Sequence, residues 1–404
     1  MSETFIPFHR PSVGEEEIAE VVDTLRSGWL TTGPRAARFE REFGAYTGAG
    51  YAVAVNSATA ALHLAMPGLG IGPGDEVITT PMTFCATVQA VLHVGATAVL
   101  ADIDADGNID PAEIEKRITG RTRAVIPVHI AGLPCRMEAI WDLAKTHGIH
   151  VIEDAAHAAG AAIDGRPIGA GPSDAAAFSF YATKNLTTGE GGMFTTHQQG
   201  LAESARMLSL HGASHDAWDR YTDRGDWHYD VLAHGFKYNL SDIQAAIGIH
   251  QLRKLDAFIE RRKRIADRYN RAFEELEELE LPPDDAQCRH AWHLYILRLN
   301  LSRLRIDRAE FIRVLRERGI GTSVHFIPIP LHPFFSQLPL ARYECRRARA
   351  LYARILSLPL YPAMSDEQVE YVARSVRELV QSSRRVKHVA PGARMAAVPL
   401  CATE

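Results

Sequence analysis

The chain has 404 residues, 46% of them hydrophobic and 23% charged, with a formal net charge of −5. That length allows two or three domains and ample core. The mildly negative balance gives no reason to expect nucleic acid or an anionic membrane as partner. The opening MSETFIPFHR has no apolar signal core, and no segment approaches membrane-spanning length. Five dispersed cysteines, Cys85, Cys135, Cys288, Cys345 and Cys401, lack metal-type spacing and suit reduced thiols in the cytoplasm.

Strand-like apolar runs alternate with helical patterns through the first half. YAVAVNS leads into ATAALHLAM and DEVITTP into CATVQAVLHVG; ATAVLADI, RAVIPVHI and GIHVIEDAAHA follow, with the helix RMEAIWDLAKTHG among them. Such alternation predicts a parallel, doubly wound α/β sheet, whose ligands bind beyond the carboxyl ends of the strands. An apolar run at 175–180 reads as a further buried strand. A long amphipathic helix over about 255–279 then changes the texture. It carries Arg261, Arg262, Lys263 and Arg264 ahead of strongly acidic turns, and this basic run reads as a solvated helix face. HAWHLYILRLN is strand-like, RAEFIRVLRERGIG is a helix with a glycine stop, and a last helix runs over about 366–380. The expected organisation is a large domain over 1–254, a smaller α+β domain over 255–383, and a loose tail over 384–404.

Lys184 sits in FSFYATKNLTTGEGGM, where a buried strand delivers a lone cation into a loop of hydroxyls and glycines. A partly desolvated ammonium is disfavoured unless the amine has a use. The same desolvation lowers its pKa and leaves a neutral amine able to attack a carbonyl. Asp154 ends the apolar strand GIHVIED. A carboxylate there can bond a protonated pyridine nitrogen, as pyridoxal phosphate requires. The same aspartate can instead cap a following helix or hold a ribose, although no GxGxxG precedes it. His157, three residues on, is expected on the same face of a helical turn, against a flat cofactor ring or within the core. Asn56, Ser57, Ala58 and Thr59 lie between a strand and a helix, a ready phosphate site or a plain N-cap. Phe84 follows the strand DEVITT, where an aromatic stacks on a ring or fills the core. Ser179 alternates with Phe178 and Phe180, so it can face a site while the rings pack.

Residues 102–113 fit the calcium-loop pattern D-x-[DN]-x-[DN]-G-x5-E. A strand rather than a helix precedes them, so they read as an acidic strand-to-helix turn, and no metal is expected.

Taken together, SGWLTTGP, NSATAALHL, GDEVITTPMTF, VIEDAAHA, FSFYATKN, GEGGM, GFKYNLSDIQAAIG, HAWHLYILRL and GIGTSVHF resemble the pyridoxal-phosphate nucleotide-sugar aminotransferases of the DegT/StrS type, over about residues 5–380. The resemblance implies a fold-type I, aspartate-aminotransferase-like α/β architecture, its large domain built on a mostly parallel mixed sheet. It implies that Lys184 is the Schiff-base lysine and Asp154 the pyridinium partner. His157 takes the place of the Gln or His over the ring, Phe84 that of the aromatic on the opposite face, and Ser57, Ala58, Thr59 and Ser179 those of the phosphate-binding residues. It further implies a homodimer with shared sites, in which a GxNxR-like segment of the neighbour reaches the phosphate. Here that segment reads GFKYN, leaving Lys237 or Asn239 to make the contact. His325 and Tyr181 match positions near the sugar, and Thr31, Thr32 and Gly33 frame the entrance or simply form a turn before RAARFEREF.

The segments HGASHDAWDRY, GFKYNLSD, HAWHLYILRL and GIGTSVHF are most similar to the branch acting on UDP-linked 4-keto sugars, including the UDP-4-amino-4-deoxy-L-arabinose aminotransferase. The resemblance therefore implies transfer of the amino group of L-glutamate to such a sugar. Family dehydratases carry histidine in place of the lysine, so the retained Lys184 favours transamination. The rival readings are other pyridoxal chemistry on this fold, namely a dehydratase or a 3-keto-sugar or cyclitol aminotransferase, and a non-catalytic DegT-like regulator.

Overall fold

The computed structural model describes residues 5–214 and 228–385. The expected loose tail lies outside the described residues save Arg384 and Arg385, as do Cys401 and most of HGASHDAWDRY. An N-terminal strap leads into α1 (Glu15–Ser27) and α2 (Pro34–Thr47). Strands and helices then alternate: β1 (Tyr51–Val55), α3 (Ala58–Gly68), β2 (Glu76–Thr79), α4 (Cys85–His93), β3 (Thr97–Leu100), α5 (Pro111–Glu115), β4 (Thr122–Ile126), α6 (Met137–His147) and β5 (His150–Asp154). The small hairpin β6 (Ala162–Ile163) and β7 (Arg166–Pro167) precedes β8 (Ala175–Ser179), β9 (Gly192–Thr196) and α7 (Gln199–Leu208). The second half holds α8 (Asp242–Phe273), β10 (Leu279–Glu280), β11 (Cys288–Arg289), β12 (Tyr295–Leu299), α9 (Arg308–Glu317), α10 (Arg346–Tyr352), β13 (Ile355–Leu358) and α11 (Asp366–Ser383).

The main sheet has the order β1-β9-β8-β5-β4-β2-β3. Helices cover both faces, so β8 is buried throughout and reads as an apolar run without alternation. Ala175 and Ala177 pack with Ala61 and Ala65 of α3 on one face, whereas Ala176 and Phe178 meet Phe39 and Phe43 of α2 on the other. The small side chains of β8 let α3 lie close to the strand. The sheet is mixed rather than wholly parallel: β9 runs antiparallel to both β1 and β8. The reason is local, because residues 180–191 form a non-helical loop that turns the chain straight back.

The second half forms a three-stranded antiparallel sheet, β10-β12-β13, with its own core of α8, α9 and α11 residues. The long helix begins earlier than the sequence reading placed it, at Asp242, because Ser241 and Gln244 form a capping box. Gly248 does not break it; a Cβ there would lie 2.7 Å from the Phe39 ring, so the glycine permits close packing against α2. Asp242 is fully buried and accepts from Arg35 N (3.1 Å) and Ala36 N (2.9 Å), capping α2 in turn. The helix ends at Phe273, and Leu279 instead opens β10.

α8 changes cores along its length. Leu252, Leu255 and Ile259 belong to the cluster beneath the main sheet, whereas Ile265, Ala266, Tyr269 and Phe273 belong to the C-terminal core. The expected boundary at 254/255 thus falls inside this helix, slightly before the packing changes over. Arg262 stands at the changeover and corrects the solvated-face reading. It is 1% exposed and donates through Nη1 to the carbonyls of Leu360 (2.7 Å), His293 (3.2 Å) and Trp292 (3.4 Å). Its neighbours do meet solvent, with Lys263 pairing to Asp267 and Arg261 to Asp366. Periodicity could not single out Arg262, since its burial depends on carbonyl groups about 30 and 100 residues away.

Arg262→Met keeps much of the volume but leaves those carbonyls without their donor. The substitution is expected to destabilise the apoprotein by about 3 kcal/mol, read as a lower thermal midpoint. An unchanged midpoint would show that Arg262 does not clamp these segments.

Candidate active site

Five loops at the carboxyl ends of β1, β2, β4, β5 and β8 open onto one cavity of about 550 Å³, a size suited to a small ligand. Its remaining walls come from the N-terminal strap and from the second half, through Phe8, His9, His293, His325 and Phe326.

Lys184 projects into this cavity from the β8–β9 loop, which its own hydrogen bonds hold firmly. Lys184 N donates to Tyr181 O (2.9 Å), Thr188 N to Phe180 O (2.9 Å) and Phe180 N to Gly191 O (2.9 Å). The Thr187 and Thr188 hydroxyls donate to the carbonyls of Phe180 (3.1 Å) and Glu190 (2.6 Å). The hydroxyl-rich composition around the lysine therefore folds the loop itself. Lys184 keeps some surface open to the cavity, but desolvation lowers its pKa to about 8, against the attraction of Asp154.

Asp154 closes β5 and is 5% exposed. Burial raises its pKa, while hydrogen bonds from the Thr87 hydroxyl and Ala156 N–H, and the charge of Lys184, oppose the rise. No helix follows this aspartate. Residues 155–157 form a turn, with Ala158 N donating to Ala155 O (2.9 Å), which removes the helix-cap reading. It also moves His157 off the expected helical face, because VIEDAAHA turns as soon as the sheet ends. The ring still lines the cavity. It lies 4.4 Å from the His293 ring and 5.7 Å from Phe326, nearly parallel to the latter. Burial holds His157 far below its usual pKa, and its Nδ1 has no hydrogen-bond partner among the described residues.

Ser57 is the N-cap of α3, its hydroxyl accepting from Ala60 N (3.1 Å), so the capping reading holds for this side chain. The same first turn, through Ser57, Ala58 and Thr59, lines the cavity. β9 passes directly beneath it: a Cβ on Gly192 would lie 2.4 Å from Ser57 C and 2.6 Å from Ala58 N. Only glycine permits that approach. Ser179, at the end of β8, also faces the cavity, as does Phe84, the N-cap of α4. Phe84 is 61% exposed; it belongs to the cavity wall rather than the core. Tyr181, 47% exposed, and His325 complete the residues that the sequence singled out here. His325 Nδ1 lies 2.8 Å from Ser357 Oγ, and its ring stacks on Phe8 at 5.4 Å.

Six singled-out residues, Thr31, Thr32, Gly33, Asn56, Lys237 and Asn239, are absent from the lining of their own chain's cavity. Lys237 is exposed and pairs with Asn239. Asn239 donates to Thr32 Oγ1 (2.7 Å), and Thr31 offers its carbonyl to Asp242 N (3.1 Å). Gly33 caps α2, with Pro34 in its first turn. In the calcium-like loop, Asp102 accepts from the backbone of Arg347 and Ala348 (2.8 and 3.0 Å) and Asp104 from Asp106 and Gly107. Backbone N–H groups thus occupy both Asp102 oxygens and Asp104 Oδ1, and no grouping of three metal-ligating side chains occurs among the described residues.

Several wall residues escaped the sequence reading. Thr87 lies one helical turn beyond Thr83, so i, i+4 spacing after the strand was an available signal. His293 lay within a motif already noted. Phe8 and His9 come from a strap that no local pattern connects to the sheet; Ile6 N and Gly321 N hold it there through Gly319 O and Ile6 O (each 2.8 Å).

The residues present fit pyridoxal phosphate. A desolvated amine and a buried carboxylate share one cavity, a helix N-terminus opens beside a glycine floor, and the His157 ring and the exposed Phe84 line the same space.

Comparison with known proteins agrees with this chemistry. The model of the DegT/DnrJ/EryC1/StrS aminotransferase family matches residues 11–377. The spore coat polysaccharide biosynthesis protein SpsC of Bacillus subtilis is 50% identical, over 94% of this chain and 98% of its own. The sugar aminotransferase Spr1654 of Streptococcus pneumoniae, solved in its pyridoxal-phosphate form, superposes with a TM-score of 0.85 at 35% identity, over 94% of this chain and 99% of that one. Helicobacter pylori PseC, an aminotransferase of pseudoaminic acid biosynthesis, does so with a TM-score of 0.87 at 30% identity, covering 94% and 100%. The chain belongs to the DegT/DnrJ/EryC1/StrS family and is a pyridoxal-phosphate-dependent sugar aminotransferase with the fold-type I architecture.

Proposed function

We propose that this enzyme moves the amino group of L-glutamate to C4 of a UDP-linked 4-keto sugar, yielding a 4-amino sugar and 2-oxoglutarate. The observation that carries the reading is the desolvated Lys184 amine in one cavity with the buried Asp154 carboxylate. Bound pyridoxal phosphate supplies the carbonyl that carries the amino group between substrates and a ring that withdraws electrons. Lys184 Nζ would hold the cofactor, and as a free amine it would move the proton to and from the reacting substrate carbon. Asp154 would accept a hydrogen bond from the ring nitrogen and favour its protonated form. His157 and Phe84, which both line the cavity, would flank the bound ring. The first turn of α3, with Ser57, Ala58 and Thr59, binds the phosphate together with Ser179.

Tyr181 and His325 contact the sugar. A cavity of about 550 Å³ encloses the cofactor and a sugar ring, so the nucleotide extends past the mouth. Thr31 borders that entrance in the assembled enzyme. Lys237 and Asn239 lie outside the cavity of their own chain, which supports a homodimer in which they reach the phosphate of the neighbouring site. The working units are a large cofactor-binding part and a smaller C-terminal part divided within α8, and the enzyme acts in the cytoplasm. The polysaccharide and pseudoaminic acid roles of SpsC and PseC agree with an amino-sugar product.

Purified enzyme given glutamate and a UDP-4-keto sugar is expected to form 2-oxoglutarate, and Lys184→Ala to lose that turnover by at least about a thousandfold. Turnover of a 3-keto sugar or cyclitol alone would replace the substrate assignment. In the apoprotein, labelling of Lys184 by an amine-directed reagent should rise with pH about a midpoint near 8, because burial favours the neutral amine; a midpoint near 10.5 would deny that desolvation. Mixing Lys184→Ala subunits with subunits carrying Lys237→Ala and Asn239→Ala should restore about a quarter of wild-type activity, since half the dimers are hybrids with one intact site. No recovery would place both residues outside the neighbour's site.

A further inference from the structure

Thr83 and Thr87 are 2% and 1% exposed and sit on either side of the first turn of α4. A buried threonine in a helix ordinarily bonds the carbonyl four residues back. Thr24 and Thr47, both buried, do so here, donating to Glu20 O (2.7 Å) and Phe43 O (3.0 Å). Thr87 does not. Its hydroxyl reaches Asp154 Oδ2 on β5 at 2.7 Å, and Thr83 Oγ1 lies 2.8 Å behind it. An ionised carboxylate has no proton to give, so Thr87 must donate to Asp154. Its lone pair then accepts the Thr83 hydroxyl proton, aligning two dipoles toward one oxygen. Ala156 N occupies the other oxygen at 3.2 Å.

We propose that the Thr83–Thr87 hydroxyl chain is a positioning device that fixes and orients the Asp154 carboxylate for the ring nitrogen of the cofactor. The inference rests on the assignment of Asp154 to that nitrogen. Without the chain, a buried carboxylate would retain one backbone donor, with Lys184 and His129 as the neighbouring groups whose charge favours its ionised form. The same short segment carries Phe84, so the aromatic wall and the brace on Asp154 are set by one turn of α4.

The test compares Thr87→Val, Thr87→Ser, Thr83→Val and Asp154→Asn as apoproteins titrated with pyridoxal phosphate, alongside kcat and KM of the reconstituted enzymes and apoprotein thermal midpoints. Thr87→Val should weaken cofactor binding about tenfold, 1.4 kcal/mol, and lower kcat more than it changes KM. Thr87→Ser should stay within about twofold of wild type, as expected when the hydroxyl rather than the methyl matters. Thr83→Val should act in the same direction but less. Wild-type cofactor affinity and kcat in Thr87→Val, with Asp154→Asn impaired, would refute the brace and leave the Asp154 assignment standing. An unimpaired Asp154→Asn would overturn that assignment itself. Equal losses in Thr87→Val and Thr87→Ser would mark Thr87 as packing only and overturn the proposal.

Discussion

An amine kept partly out of water is the constraint on which the rest of this structure depends. In solution a lysine is an ammonium at neutral pH and a poor nucleophile. Desolvation brings Lys184 to about 8, within reach of the neutral form. That placement requires a loop stiff enough to hold the side chain in the cavity, which the hydrogen bonds of Thr187, Thr188 and Gly191 provide. Beside it stands a buried carboxylate whose pKa burial raises, and the hydrogen bonds that Asp154 accepts from Thr87 and Ala156 oppose that rise.

The fold supplies the site by geometry that no single element could produce. β5 and β8 are neighbours in the sheet, paired in parallel from Ile152 with Ala175 to Asp154 with Ala177. Asp154 and the loop bearing Lys184 therefore emerge side by side at the same sheet edge. β9 returns antiparallel and runs its Gly192 under the first turn of α3, whose N-terminus lines the same cavity. The second half closes the space from above, and Arg262, buried where α8 passes from one core to the other, grips the carbonyls of His293 and Leu360 that line it.

Much of this was legible in the chain. The strands were visible because sheets covered on both faces leave continuous apolar runs, and Lys184, Asp154, Ser57 and Phe84 stand out because each interrupts or ends such a run. What escaped depended on distant contacts. Arg262 looked like one member of a basic run, yet its environment is made by residues 292, 293 and 360. The reversal of β9 and the immediate turn at His157 are matters of loop geometry, which periodicity does not encode. The start of α8 was missed although SDIQ is a capping box, because the amphipathic signal strengthens only after Leu255. Phe8 and His9 reach the cavity through a strap whose two anchoring bonds join it to residues 319 and 321.

The most direct test of the central claim is chemical. Apoprotein would be incubated with pyridoxal phosphate, reduced with borohydride, digested and mapped by mass spectrometry. The account predicts a single reduced pyridoxyl adduct on the peptide containing Lys184, absent from Lys184→Ala. A stoichiometric adduct on another lysine, or protein that takes up no cofactor under these conditions, would contradict it.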